Sequence, residues 1–304
     1  MPHAPEDRSD VVPGPLVSVD DPDDPRLDLY RSLNDPAGRT RLDADRSVFV
    51  VEGRLAVERL LSSGYTLHSL LVDDHQATSA GHLVAATRAR GAPVFVGSRA
   101  VVADTVGFAL HRGVVAVAIR PSPPDAERLL TGVARSAAST GMPQLVAVLE
   151  GLNDHENIGG LFRNAAAFAV AGVLLDPTCA DPLYRRSIRV SVGHVLHVPS
   201  ARLTPWPAGL GLVRSAGFII AALAPRPASD SGVPVVGLGQ LKARMSGPEH
   251  PAGVALLFGA EGPGLTPAAL AAADVVVSIP MADGVDSLNV ATAAAVAFHA
   301  LTDR

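Results

Sequence analysis

The sequence predicts two α/β domains in tandem: a small sandwich, then a larger and mostly parallel sheet. Three observations predict them. Short apolar, β-branched runs alternate with stretches of helical periodicity from Ser47 to the end of the chain. Hydrophobic residues make up 48% of the 304 and charged residues 18%, the balance of a well-buried protein. A stretch at 121–143 opens with Pro121, Pro123 and Pro124, closes with Gly141 and Pro143, and reads as a linker with an Ala-rich possible helix inside it.

The first 28 residues carry eight acids and two bases and are rich in Asp and Pro, so a disordered acidic tail is expected there. Residues 29–120 form the first domain. Val48–Val51, Leu70–Val72 and Val94–Val96 read as strands. Leu55, Val57, Leu60 and Leu61 give a helical stripe ending near Gly64, and a helix over 79–90 is closed by Gly91. Val114–Ile119 is apolar throughout, the pattern of a buried strand. The second domain, 144–304, has strands expected at Leu145–Leu149, Val173–Leu175, Phe218–Leu223, Val254–Phe258 and Val275–Ile279. Helices are expected after Asn157, around Tyr184–Val190 and Leu210–Ala216, after Pro267, and from Ser287 onward. Strands followed by helices in this order build a parallel sheet covered on both faces.

Charge and cysteine usage narrow the function. The formal charge is −5, but the tail alone carries −6, leaving +1 for the other 276 residues. A strongly basic, sequence-blind nucleic-acid coat is excluded, whereas a local basic patch is not. Tyr184-Arg185-Arg186-Ser187-Ile188-Arg189 is the densest such patch. Its plain reading is a solvated helix face, and its sharper one is phosphate contact by Arg185, Arg186 and Arg189. No run of eighteen apolar residues occurs and no basic-then-apolar leader is visible, so a soluble, cytoplasmic protein without membrane contact is expected. Cys179 is the single cysteine, and His194 and His197, three positions apart among Val and Leu, have no Cys or carboxylate at ligand spacing. No metal site is expected.

Three segments carry the chemistry. Asn153-Asp154-His155-Glu156-Asn157-Ile158-Gly159-Gly160-Leu161-Phe162-Arg163 lies at a strand-to-helix turn, where ligands bind in open parallel sheets. Asn157 is expected as a helix cap and Arg163 as a charge on an otherwise apolar helix. Leu257-Phe258-Gly259-Ala260-Glu261-Gly262-Pro263-Gly264-Leu265 follows an apolar strand with a flexible, glycine-built loop. No Gly-Lys-Ser/Thr follows it and it is not a Gly-x-Gly-x-x-Gly fingerprint, so it is neither a Walker nor a dinucleotide loop. Glu261 is the one carboxylate in it. Ile279-Pro280-Met281 ends a strand, Ser287 is expected as the cap of the last helix, and Asn289 as part of its first turn.

In their order and spacing these segments resemble the three signature motifs of the SpoU/TrmH-type RNA ribose methyltransferases of the SPOUT class. The resemblance covers roughly 145–304. A second one, carried by Val50-Val51-Glu52-Gly53-Arg54 and His111-Arg112-Gly113-Val114, is to the ribosomal-protein-like substrate-binding domain that precedes many of these catalytic domains. The resemblance implies a C-terminal trefoil knot, a homodimer formed by the catalytic domain, and S-adenosylmethionine gripped by Gly259, Ile279 and Leu288 with Met281 and Leu223 beside them. It implies functional roles for Asn157, Arg163, Glu261, Ser287 and Asn289. It implies methyl transfer to a ribose 2′-hydroxyl of structured RNA. Arginine, with a pKa above roughly 12, is a poor base, so Arg163 is expected to steady the developing alkoxide.

The extra N-terminal domain favours ribosomal RNA over tRNA as substrate. A non-catalytic RNA-binding or ribosome-assembly protein of the same fold is the alternative from another class, opposed by the presence of all five functional residues. A nucleotide-binding oxidoreductase lacks its glycine fingerprint.

Overall fold

A computed structural model of the chain describes residues 12–31, 33–108, 110, 113–122, 124–224, 232–245 and 252–302. The chain divides into two compact units, one formed by Met1–Pro121 with Leu183–Leu196 and the other by Ser122–Pro182 with His197–Arg304. Among the described residues no helix is long and apolar enough to cross a membrane.

The first unit begins earlier than its apolar runs suggest. Strand β1 (Leu16–Val19) pairs in parallel with β4 (Val94–Gly97). Asp24 then caps a 3-10 turn, Pro25–Tyr30, by accepting from the Arg26 N–H, and the Arg26 guanidinium holds the Asp24 carboxyl at about 2. Residues 12–28 are therefore not the disordered tail expected from their acidity. Leu27 and Tyr30 are fully buried, and Asp23, Asp24 and Asp28 are taken up in ion pairs with Arg26 and Arg31. Residues 1–11 lie outside the described residues. Helix α1 (Pro36–Asp45) carries Arg39, which is buried and spans Leu29 O (2.6 Å), Arg31 O (3.2 Å) and the Asp43 carboxylate (2.5 Å).

The five-stranded sheet has the order β1-β4-β3-β5-β2. Strands β2 (Val48–Glu52), β3 (Leu67–Asp73) and β5 (Val114–Ile119) fall on the expected apolar runs, and β5 runs antiparallel to both its neighbours. Helix α2 (Arg54–Ser62) buries Val57, Leu60 and Leu61 of the expected stripe, with Ala56 in place of Leu55, which is exposed. The helix expected over 79–90 is α4 (Gly81–Arg88), and a further helix that the sequence did not show, α3 (Asp74–Ser79), precedes it, capped by Asp73, which accepts from Gln76 N–H. Helix α5 (Arg99–Val106) ends at Gly107, whose φ of 85° closes the helix in the left-handed conformation. His111 and Arg112 lie outside the described residues.

In the second unit, helix α6 (Ala126–Thr140) fills the interior of the stretch read as a linker. It buries Ala126, Leu130 and Val133 in the core of the second unit. After β6 (Gln144–Leu149), α7 (His155–Ala167) and β7 (Gly172–Leu175), the chain contributes α8 (Arg185–Val190) and a 3-10 turn at His194–Leu196 to the first unit. It then returns through β8 (Ser200–Arg202), α9 (Leu210–Ser215), β9 (Phe218–Leu223), β10 (Val235–Gly237), α10 (Leu238–Met245) and β11 (Gly253–Phe258). The last elements are α11 (Pro267–Ala271), β12 (Val275–Ser278) and α12 (Val290–Thr302).

The seven strands are ordered β10-β12-β9-β11-β6-β7-β8, and every pairing between them is parallel. All six residues of β11 are buried, which is why it reads as an unbroken apolar run. Because the strands are parallel, the carboxyl ends of β6, β9, β11 and β12 open toward one edge of the sheet. Helices α7 and α12 pack beside one another, Phe298 of α12 meeting Phe258 edge-to-face at 5.7 Å.

Gly253 starts β11 between β6 and β9, and a Cβ there would stand 1.8 Å from the Gln144 carbonyl oxygen. Gly253→Ala is expected to destabilise the protein by about 3 kcal/mol, since two central strands must part to admit a methyl group. A lowered urea midpoint with an unchanged slope checks this.

Candidate functional site

The carboxyl ends of β9, β11 and β12 frame an open cavity, about 860 Å3 when the solvent space at its mouth is counted. Its wall is built from the residue after β9 (Ala224), the glycine loop after β11, and the segment from Ile279 to Ala293 that leads into α12. Leu223, Gly259, Ile279, Met281 and Leu288, assigned to one ligand from sequence, all line it, and so do Glu261 and Ser287. Glu261 is the one ionisable side chain among the lining residues. Phe258, Leu265, Val290 and Ala293 also line it and were not singled out from sequence. They read as core residues, and only the turn of the chain brings them to the wall.

The glycine loop doubles back on itself. Gly264 N–H donates to Ala260 O at 3.0 Å, and Gly262 and Gly264 take φ of 86° and 71°. A Cβ on Gly259 would lie 2.3 Å from Gly264 C and from Leu265 N, so this position admits no side chain.

Asn157 and Asn289, 132 residues apart, meet over Glu261. Asn289 Nδ2 donates to Asn157 Oδ1 at 2.8 Å and to Glu261 Oε1 at 3.4 Å, and Asn157 Nδ2 donates to Glu261 Oε2 at 3.2 Å. The roles expected of the caps change accordingly. Helix α7 starts at His155 and is capped by Asp154, whose Oδ1 accepts from Glu156 N–H at 2.8 Å. Asn157 is thus inside the first turn, buried, with its amide turned to Glu261. Helix α12 starts at Val290 and is capped by Asn289, whose Oδ1 accepts from the N–H of Ala291 (3.0 Å) and Thr292 (3.2 Å). Ser287 is not the cap. Both residue types are competent caps, and the contact of Asn289 with Asn157 decides between them. Asn164, missed from sequence, joins α7 to α12 by donating to Ala291 O at 2.7 Å.

Arg163 lies on the exposed side of α7, outside the cavity wall, and makes no hydrogen bond or ion pair among the described residues. The three arginines of α8 divide. Arg185 donates to Glu52 Oε2 (2.7 Å) and Leu33 O (2.8 Å) and lies over the Phe108 ring at 5.2 Å. Its guanidinium is taken up within the first unit, while Arg186 and Arg189 are exposed. Cys179 is buried, and burial followed by its contact with the Asp176 carboxylate pushes its thiol up to about 12. Among the described residues no group of three or more His, Cys, Asp and Glu is placed to hold a metal ion.

Arg185→Ala is expected to lower stability by about 1–3 kcal/mol, because Glu52 is left half-buried without its partner. Arg189→Ala should leave stability within about 0.5 kcal/mol. Urea unfolding of the two variants side by side checks the contrast.

Residues 144–299 match the SpoU rRNA methylase family, and residues 50–124 match the RNA 2′-O ribose methyltransferase substrate-binding domain. Proteins of Mycobacterium tuberculosis and Mycobacterium bovis, each named an uncharacterized tRNA/rRNA methyltransferase, are 43% identical over 287 residues, 94% of this chain and 92% of theirs. The fold is shared with an AdoMet-bound rRNA methyltransferase from Sinorhizobium meliloti, with a TM-score of 0.73, 22% identity, and coverage of 94% of this chain and 97% of that one. It is shared also with the SpoU methyltransferase AviRb from Streptomyces viridochromogenes in complex with AdoMet, with a TM-score of 0.72, 21% identity, and coverage of 92% and 98%.

Proposed function

The chain belongs to the SpoU rRNA methylase family, and on that premise we propose that it transfers a methyl group from S-adenosylmethionine to a ribose 2′-hydroxyl of structured RNA, ribosomal RNA in preference to tRNA. The observation that carries this reading is the cavity, which gathers Leu223, Gly259, Ile279, Met281 and Leu288 around Glu261 and Ser287. Its lining fits the cofactor. Apolar side chains suit the adenine faces, bare glycine backbone suits the ring edge, and Glu261 suits the positive charges of the ammonium and sulfonium.

When bound, S-adenosylmethionine supplies a methyl group already activated on sulfur. The protein's part is then to hold and orient. Asn157 and Asn289 fix the Glu261 carboxylate, so the wall of the site is set before ligand arrives. Ser287 offers a hydroxyl at the mouth to orient the ribose. Arg163, exposed and without a partner among the described residues, is available to steady the alkoxide that forms on the 2′-oxygen and a neighbouring phosphate.

The rest of the reading follows the family. The C-terminal segment is threaded as a trefoil knot, the catalytic domain works as a homodimer, and the enzyme acts in the cytoplasm. The match of residues 50–124 to a substrate-binding domain supports both the ribose target and the choice of ribosomal RNA, with Arg186 and Arg189 offering phosphate contacts.

The test is transfer of radiolabelled methyl from S-adenosylmethionine to purified ribosomal RNA and tRNA, wild type beside Arg163→Ala. Alkali-resistant label on ribosomal RNA is expected, because a methylated 2′-oxygen cannot attack the adjacent phosphate. In Arg163→Ala, turnover should fall about 100-fold or more with cofactor affinity within about twofold. Label on tRNA alone would overturn the substrate. Alkali-labile label would overturn the ribose target. Cofactor binding without label on either RNA would favour a binding protein.

A further inference from the structure

Glu150 has no part in the roles assigned so far, yet it sits where the cofactor cavity is anchored. It follows Leu149, the last residue of β6, and its N–H donates to Phe258 O at 2.8 Å. That bond extends the β6–β11 ladder to the point where the glycine loop departs. Its side chain is 4% exposed and has no cationic partner among the described residues. Three neutral donors converge on it instead. Oε1 accepts from Thr266 Oγ1 at 2.7 Å and from Trp206 Nε1 at 2.6 Å, and Oε2 accepts from Thr266 N–H at 2.8 Å. Thr266 is the residue after the loop, and its Oγ1 also accepts from Ala269 N–H at 3.2 Å as the cap of α11.

We propose that Glu150 is a positioning residue for S-adenosylmethionine, acting through Thr266 to pre-form the glycine loop; this rests on the function proposed above. The loop contains two glycines at positive φ, which have much conformational freedom to lose. It is tied at its entrance by Glu261 to Asn157 and Asn289, and at its exit by Thr266 to Glu150. Leu265 and Gly264, which line the cavity, lie between those ties. Without the exit tie, ligand binding must order them. Only a carboxylate satisfies the geometry, because donors face both oxygens. A glutamine of the same size sets its NH2 against either the Thr266 N–H or the Trp206 N–H, an unpaired buried donor in each case.

The chain has a single tryptophan, and its indole N–H rests on this carboxylate, so Trp206 emission reports on the cluster directly. Calorimetric titration of S-adenosylmethionine into wild type, Glu150→Gln and Thr266→Val, all below their thermal midpoints, tests the proposal. Glu150→Gln should bind about tenfold more weakly, with kcat at saturating cofactor within about threefold of wild type and an altered Trp206 spectrum before cofactor is added. Thr266→Val, which keeps the N–H bond, should bind about threefold more weakly. A merely structural role would lower the thermal midpoint and leave the Kd unmoved. Both variants within twofold of the wild-type Kd would overturn the proposal while leaving the methyltransferase reading intact. Wild-type protein that fails to bind the cofactor would overturn that reading and this role with it. Should Glu150→Gln not fold, the Kd of Thr266→Val decides alone.

Discussion

Asn157, Glu261 and Asn289 form the contact on which the architecture of the site depends, because each belongs to a different piece of chain. Asn157 belongs to the first turn of α7, Glu261 to the loop after β11, and Asn289 to the turn that starts α12. Asn289 uses both ends of its amide. Its oxygen caps α12, and its nitrogen reaches Asn157 and Glu261. The position of the last helix and the shape of the cavity wall are therefore set by one side chain. A lone carboxylate at a loop tip would be solvated and mobile. Held by two amides, it is oriented before any ligand arrives, which is the condition for electrostatic stabilisation without reorganisation.

That triangle needs a rigid base, and the parallel sheet supplies it. β11 is buried along its whole length between β6 and β9, so the loops leaving β6, β9 and β11 start from fixed points. Small residues then allow close approach. Gly160 on α7 and Ala291 on α12 face one another, with Asn164 bonding to Ala291 O beside them. Larger residues at these positions would hold the helices apart and pull Asn289 from Asn157.

Cations in this protein serve two ends, and residue type alone does not separate them. Arg39 and Arg185 are spent inside the first unit on carbonyls and carboxylates, where the planar guanidinium satisfies several acceptors at once. Arg163, Arg186 and Arg189 are exposed residues. In a body that is nearly neutral, local groups of exposed cations, rather than a general positive field, are what an anionic polymer would meet.

The sequence by itself determined the α/β class, five of the seven strands of the parallel sheet and part of the cavity wall. Apolar runs bounded by glycine, and functional residues at fixed spacing from them, are local patterns. It did not determine that Leu27 and Tyr30 would draw an acidic stretch into the core, since composition averages over the few apolar residues that decide burial. Nor did it distinguish Asp154 from Asn157, or Asn289 from Ser287, as helix caps. Each pair is equally competent, and the choice lies with a partner more than a hundred residues away. Only the tertiary structure decided that Arg185 would turn inward to Glu52 and that Glu150 would gather Thr266 and Trp206. A side chain's chemistry is written in its own residue, whereas its hydrogen-bonding partners are chosen by the folding of the rest of the chain.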